Sequence, residues 1–391
     1  MSKVLVISTS YPTAKNPSAG AFVANLAKAL SKKHQVKVLA PSLKGEARQS
    51  HENDGPELVL VRYAPNSLEV LAQNGGGIPA ALKKNRLVAL LVPGLILGFF
   101  IQILRRIHQV DFIQANWIVS GFIVAVPAML YQKPLITTLH GEDVRKLKSS
   151  VLYRVMFLLA CRASRKIVCV GEEMCTKVIA EFPRYSSKIV YIPNGVDKHL
   201  FLPRQKSREI RGEFRILMVS SLIESKSIDH ALVALAEIKD DYPGVMLDIV
   251  GAGPEMNKLI DCCERLGLAD RVKFHGAIAQ NEVYKQYLDS DVLLICSKAE
   301  GRSSVVLEAL ALGVPVIGSR SEGIRELLED APASKMYQYG SISGLVAAIK
   351  EMHSLCLNCE YGSENRRYLE SLSLTWESTA EKYTSIFLKK G

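Results

Sequence analysis

The sequence predicts an α/β protein of two doubly wound, Rossmann-like domains facing across a cleft. Three observations carry that expectation. Short β-branched runs alternate with amphipathic stretches along the whole chain, which is the mark of βαβ units on parallel sheets. At 391 residues the chain is long for one core, given roughly 100–200 residues per domain. The alternation breaks once, near 195–213, where Asn194-Gly195, Pro203 and a polar run from Arg204 to Glu213 read as a linker.

Taken in order, the strands of the first half are expected at 3–8, 36–40, 58–63, 111–115, 134–138, 166–170 and 188–192. The uncharged stretch Leu87–Leu104, between Arg86 and Arg105-Arg106, has about the shortest length that spans a bilayer. Pro93, Gly94 and Gly98 interrupt it where a βαβ crossover needs a helix, so it reads as that crossover. The second series of strands is expected at 215–219, 245–250, 272–275, 291–296 and 314–318, each followed by a helical pattern. From about 361 to 388, Tyr368, Leu372, Trp376, Tyr383 and Phe387 mark terminal helices. The expected domains are therefore 1–200 and 201–370, with a helix in 371–391 packing back towards the first.

Composition narrows the function classes. With 48% apolar and 23% charged residues the chain reads as a folded globular protein rather than a disordered or fibrous one. The first apolar run meets Thr9, Ser10 and Pro12 without a small-residue cleavage site, so no secretory signal is expected. The eight cysteines are scattered through apolar runs, as small core residues in the reducing cytoplasm. His353-x-x-Cys356-x-x-Cys359 has no second pair to complete a zinc tetrahedron. Asp289-Ser-Asp291 looks like a metal-binding Asp-x-Asp, yet it precedes the 291–296 strand, and ligands of such sheets bind at carboxyl ends. It reads as a cap and turn; no metal and no cofactor are expected.

Charge divides the chain. Residues 1–200 hold 26 Lys and Arg against 12 Asp and Glu, or +14; residues 201–391 hold 23 against 27, or −4. A basic half attracts nucleic acid or anionic lipid. No zinc-finger, ribonucleoprotein or helix-turn-helix pattern accompanies it, so nucleic acid is not the expected partner. Residues 151–160 follow Arg145-Lys146-x-Lys148 and precede Arg162, Arg165 and Lys166. Two readings stand: a face lying on an anionic membrane, peripheral at the inner side of the plasma membrane, or a buried crossover helix with a solvated basic edge.

The most specific signal is Glu300-Gly-Arg302-Ser303-Ser304-Val-Val-Leu-Glu308-Ala-Leu-Ala-Leu-Gly313-Val-Pro315. A strand delivers the chain to Glu300, and a helix begins near Ser303. Its first N–H groups and positive dipole end suit an anion. Glu300 and Glu308, near such a site, suit recognition of sugar and ribose hydroxyls.

With these residues on the page, the sequence resembles the group-1, or family 4, retaining glycosyltransferases with the GT-B fold. The other landmarks follow in order over nearly the whole chain: Thr9-Ser-Tyr-Pro12 through Gly20-Ala-Phe-Val, Thr138-Leu-His140-Gly-Glu-Asp143, Ile192-Pro-Asn194-Gly195-Val-Asp197 with Phe201-x-Pro203, Ile249-Val-Gly251-Ala-Gly253-Pro254, and Phe274-His-Gly276. The resemblance implies a metal-independent enzyme that moves a sugar from a UDP- or GDP-linked donor to a hydroxyl acceptor. That acceptor would be a lipid-linked or polysaccharide intermediate of bacterial surface glycan synthesis. By the same resemblance Gly20 lets backbone approach the donor diphosphate, and His140 contacts the transferred sugar and positions the acceptor. Lys226 meets the diphosphate as the bond breaks, Glu300 faces the donor sugar and Glu308 the ribose. Ser303 and Ser304 face phosphate, and Gly251 and Gly253 shape the nucleotide loop.

The chain departs from the family where Ser220-Ser221 replaces the usual Gly-Arg. The arginine that partners Lys226 is missing, and Arg302, standing where Phe is commoner, is the candidate to replace its charge. Ala333-Ser-Lys-Met-Tyr337 also lacks the usual Gly-Leu-Val ending. The alternatives are a catalytically silent nucleotide-sugar-binding subunit, or a nucleotide-sugar epimerase or hydrolase. A nicotinamide enzyme is disfavoured because no Gly-x-Gly-x-x-Gly follows the first strand.

Overall fold

A strand in the middle of a helix-covered parallel sheet is buried on both faces, as Leu135–Leu139 is at all five residues; its two polar members, Thr137 and Thr138, hydrogen-bond Ser164 and Tyr383. Around it the first sheet collects Lys3–Ile7 (β1), Gln35–Pro41 (β2), Gln49–His51 (β3), Glu57–Val61 (β4), Phe112–Asn116 (β5), Leu135–Leu139 (β6), Lys166–Cys169 (β7) and Ile189–Tyr191 (β8). Their order is β3-β4-β2-β1-β5-β6-β7-β8. All pairs are parallel except β3 with β4. The computed structural model describes residues 1–13, 19–45, 49–51, 55–72, 78, 81–82, 85–201, 213–356 and 362–388. Most of the expected linker, with Pro203 and Arg204, lies outside the described residues, as does Cys359.

The crossovers are Ala21–Ser31 (α1), Val92–Leu104 (α2), Trp117–Leu130 (α3), Glu142–Ser149 (α4), Val151–Ala163 (α5) and Glu172–Glu181 (α6). Alternate residues of β1 serve opposite faces: Val4 and Val6 pack with Val23 and Leu30 of α1, whereas Leu5 and Ile7 pack with Leu95, Phe99 and Ile103 of α2. The stretch expected as a crossover from Leu87 is a 3-10 turn, Arg86–Leu91, continuing into α2, and it joins β4 to β5. Residues 151–160 lie in α5, which buries Met156, Phe157, Ala160 and Cys161 on one side only.

The second sheet is built from Phe214–Val219 (β9), Val245–Val250 (β10), Val272–Gly276 (β11), Val292–Ile295 (β12), Val316–Ser319 (β13) and Ser334–Tyr337 (β14), all parallel, in the order β11-β10-β9-β12-β13-β14. Its helices are Ile228–Ile238 (α7), Met256–Arg265 (α8), Gln280–Asp289 (α9), Ser304–Ala311 (α10), Glu322–Leu328 (α11), Ile342–Leu355 (α12) and Ser363–Ser371 (α13). The last helix, Trp376–Leu388 (α14), returns to the first sheet. Trp376, Ala380, Tyr383 and Phe387 join the core on the α1 side. Thus one compact unit is Met1–Gly195 with Trp376–Gly391, and the other is Val196–Thr375. In both sheets strand order reverses beside the first strand, at β1 between β2 and β5 and at β9 between β10 and β12. Ligands of doubly wound sheets bind at the carboxyl side of such switch points.

Two strands, β3 and β14, were not expected from sequence. β3 is three polar residues, and β14 is a short edge strand without apolar alternation. Of the metal candidates, Asp291 accepts the N–H of Arg215 at 2.8 Å, and Ser290 Oγ donates to the Tyr287 carbonyl at 2.9 Å. His353 packs against the rings of Phe214 and Tyr242, and Cys356 is buried in the same core. Among the described residues no three His, Cys, Asp or Glu side chains gather as a metal site.

Candidate functional site

In the second unit, β9 and β12 are paired neighbours, so the loops leaving their carboxyl ends meet. The β9 loop closes in a 3-10 turn, Glu224–Lys226, before α7. The Lys298 N–H of the β12 loop donates to the Ser225 carbonyl at 2.9 Å. Lys226 and Glu300 are thereby brought into an ion pair, with side chains only 21% and 16% exposed. Ser227 makes the turn possible with a left-handed φ of 47°, and its hydroxyl hydrogen-bonds the Tyr339 hydroxyl at 3.0 Å.

Three residues after Glu300, the Ser303 hydroxyl accepts the Val306 N–H at 3.4 Å and so caps α10. Ser304 is the first residue of that helix, whose opening N–H groups have no intrahelical partner. One turn on, Glu308 accepts a hydrogen bond from the Tyr287 hydroxyl at 3.1 Å. Burial is the largest influence on Glu308 and raises its pKa to about 7, partly opposed by that hydrogen bond. Tyr287, fully buried in α9, was not singled out from sequence. A tyrosine among polar helical residues carries no mark of such a contact.

The glycines act through close approach. Gly251 has φ +138°, and a Cβ there would run into the Ser220 carbonyl oxygen; one at Gly253 would strike that of Leu222. The loop after β10 therefore lies directly on the Ser220–Leu222 segment, joined by Leu222 N–H to the Ala252 carbonyl at 3.0 Å. Ser221 sits in this seam. Arg302, the candidate for the missing charge, has a side chain only 4% exposed and paired with Glu326 of α11. The structure thus commits its guanidinium to the loop–α11 junction.

In the first unit the structure brings Gly20 and His140 together. Gly20 caps α1 with φ 60°, where a Cβ would meet the Ser10 carbonyl oxygen. Two residues on, the Phe22 ring lies 4.6 Å from the ring of His140, with Trp117 at 4.9 Å on the same imidazole. His140 follows β6, and its Nε2 lies 3.0 Å from Asn116 Oδ1. The Asn116 amide nitrogen already donates to Gln114 Oε1 and to the Ile7 carbonyl, so its oxygen is the acceptor and His140 Nε2 carries the proton. His140 Nδ1 is left with a lone pair. Burial lowers the imidazole pKa to about 3, so the ring is neutral at physiological pH.

The loop is held by Asp143, which accepts the N–H groups of Ile118 at 3.2 Å, His140 at 3.2 Å and Val144 at 3.1 Å. Its carboxyl pKa is raised to about 6 by burial, opposed by those N–H groups. Sequence reasoning missed Asn116, Trp117 and Phe22. Asn116 at the carboxyl end of β5 was findable from position; Trp117 was not, because its φ of 65° is rare for a bulky side chain.

The fold recurs in known proteins. Residues 203–365 match the family described as "Glycosyl transferases group 1", and residues 19–200 match "Glycosyltransferase Family 4". The chain is similar to N-acetyl-alpha-D-glucosaminyl L-malate synthase of Bacillus anthracis, 26% identical over 54% of this chain, and spans about half of that relative's length, 56%. Among solved structures it resembles sucrose-phosphate synthase from Thermosynechococcus elongatus, with TM-score 0.79, 18% identity and 99% and 98% of the two chains covered. It also resembles Anabaena HepE in complex with UDP and glucose, with TM-score 0.73, 19% identity and 98% and 99% covered. The two family matches between them take in most of the chain, each on its own sheet. The chain belongs to the group-1, family 4 glycosyltransferases, two-domain α/β enzymes of the GT-B fold.

Proposed function

We propose that the protein transfers a sugar, with retention at the anomeric carbon, from a UDP- or GDP-linked donor to a hydroxyl of a lipid-linked or polysaccharide acceptor, at the cytoplasmic face of the membrane. The observation that carries the reading is the Lys226–Glu300 pair at the second switch point, beside the capped start of α10. A diphosphate at this edge would compete with Glu300 for the Lys226 ammonium and accept the first N–H groups of α10. Both contacts strengthen as negative charge builds on the departing oxygen, which is where a transferase gains rate. Displaced from Lys226, the Glu300 carboxylate can accept hydroxyls of the donor sugar, while Glu308 takes the ribose. In the first unit, His140 presents the Nδ1 lone pair to a hydroxyl and cannot protonate near neutral pH. It therefore orients sugar and acceptor rather than acting as an acid. Gly20, whose missing Cβ admits the Ser10 carbonyl, starts α1 two residues before the Phe22 ring that lies on His140.

Calorimetric titration with UDP, GDP and ADP tests the donor site. We expect one nucleotide to bind selectively, and Glu308→Ala to weaken it by about tenfold or more, the worth of a charge-assisted hydrogen bond. Anomeric analysis of the product should show retention, and chelator should leave turnover unchanged. An inverted product or manganese-dependent activity would overturn those parts. Binding of none of the three nucleotides would favour the silent subunit, a reading supported by Ser221 and by the commitment of Arg302 to Glu326.

A further inference from the structure

An amphipathic crossover helix turns its apolar stripe to the sheet and its polar stripe to water. Three helices of the first unit break the second half of that rule. Between Arg86 and Leu104 only Leu95, Phe99 and Ile103 are buried. The opposite stripe is apolar as well, with Leu87 at 73%, Leu90 at 79%, Leu97 at 58% and Ile101 at 39% exposure. On α5, Val151, Leu152, Val155 and Leu158, one face by spacing, are 78%, 66%, 47% and 39% exposed. Between them α3, packed against both neighbours, exposes Val126, Met129 and Leu130. Single exposed leucines are ordinary, but a face shared by three adjacent helices marks an interaction surface.

The most exposed residues cluster at one edge. Gly94 and Gly98 of α2 abut the carbonyls of Tyr63 and Arg62, just past the carboxyl end of β4. The Arg165 N–H, after α5, reaches Leu135 at the start of β6. Both helices therefore begin at the carboxyl edge of the sheet, so Leu87, Leu90, Val151 and Leu152 stand at the edge that carries His140. The charge of this region is one-sided: from 86 to 166 there are eleven Lys and Arg against three Asp and Glu, and one of the three, Asp143, is buried. Arg86 and Lys148 are exposed beside these four residues, and Arg105 and Arg162 are exposed at the far ends of the same helices.

We propose that this face of the first unit docks on an anionic bilayer, with Leu87, Leu90, Val151 and Leu152 entering the acyl boundary and the basic residues beside them meeting lipid phosphates. Apolar side chains flanked by cations are what such a surface recognises, and neither feature suffices alone. Docking in this pose brings the His140 edge to the membrane, where a lipid-borne hydroxyl would arrive. That last step rests on the proposed function; the docking itself does not.

The test is co-sedimentation of the full chain, without sugar or nucleotide, with vesicles of phosphatidylcholine alone or mixed with phosphatidylglycerol. We expect binding to the mixed vesicles, about tenfold weaker on the neutral ones and falling with salt. A variant with Leu87, Leu90, Val151 and Leu152 all changed to Ser should keep the wild-type unfolding temperature, because these side chains are exposed, yet bind about tenfold more weakly or worse. Arg86→Glu with Lys148→Glu should lose binding to the mixed vesicles only. Equal binding by all variants, or no binding by the wild type, would overturn the proposal. So would self-association in sedimentation velocity that the Ser variant abolishes, since the face would then cover a second copy. Because no donor is present, failure here leaves the nucleotide reading intact, and failure of nucleotide binding leaves this one intact.

Discussion

Glu308 is held where its charge is unwelcome. Burial lifts its pKa from the ordinary carboxylate value to about 7, even with the Tyr287 hydroxyl donating to it. Because the folded-state value is raised, the stability linked to this proton is full at acid pH and is lost as pH rises through about 7. Ligand binding has the opposite sign. A carboxylate accepts two ribose hydroxyls, whereas the protonated acid must give up one acceptor site. Nucleotide affinity should therefore fall as pH drops below about 7 and level off once Glu308 is protonated, by no more than the loss caused by Glu308→Ala. Glu308→Gln should bind weakly with a flat pH profile, and a sloping profile in that variant would assign the titration to another group. From sequence, the pair Glu300 and Glu308 was legible as carboxylates near an anion site. That Lys226 would be the partner of Glu300 was not, because 74 residues separate them and only the adjacency of β9 and β12 joins them.

Between residues and sheets, the loop after β10 shows what an element demands of its sequence. Gly251 has a backbone conformation that L residues rarely adopt, with Ser220 backbone where a Cβ would stand. Gly251→Ala should therefore destabilise the second unit by about 1–3 kcal/mol and weaken nucleotide binding, measured by denaturant unfolding and titration together. Unchanged values in both would mean the loop relaxes freely. Strands with unbroken apolar runs, such as Val292–Ile295, matched their expected positions because burial on both faces leaves a continuous signal. β3 and β14 left none, since edge strands need little apolar sequence and gain their place from a neighbour's hydrogen bonds. Helix α10 was legible to within a residue, because Ser303 is both a sequence signal and the observed cap. The left-handed Trp117 beside His140 was illegible, for tertiary packing holds it against its own preference.

Across the whole molecule, the chain leaves its first unit at Gly195 and returns to it at Trp376. The returning helix α14 buries Trp376, Tyr383 and Phe387 to within 4% of full burial, and the Tyr383 hydroxyl hydrogen-bonds Thr138 at 2.8 Å, two residues before His140. At about 1.5–3 kcal/mol for each large apolar side chain, these three are worth as much as the net stability of many domains. A chain ending at Thr375 should lose the unfolding transition of the first unit while the second keeps its own, as followed by calorimetry. Two unchanged transitions would show that α14 is an accessory. Synthesis follows the same geometry. Residues 196–375 form a continuous segment and can close their core as they leave the ribosome. The first unit, though translated earlier, must wait for the last helix while those 180 residues are made, roughly 10–35 s at ordinary elongation rates. Throughout that interval the apolar surface that α14 will cover, with the Phe112 ring on which Phe387 stacks, is open, so the half of the protein made first is the last to be finished.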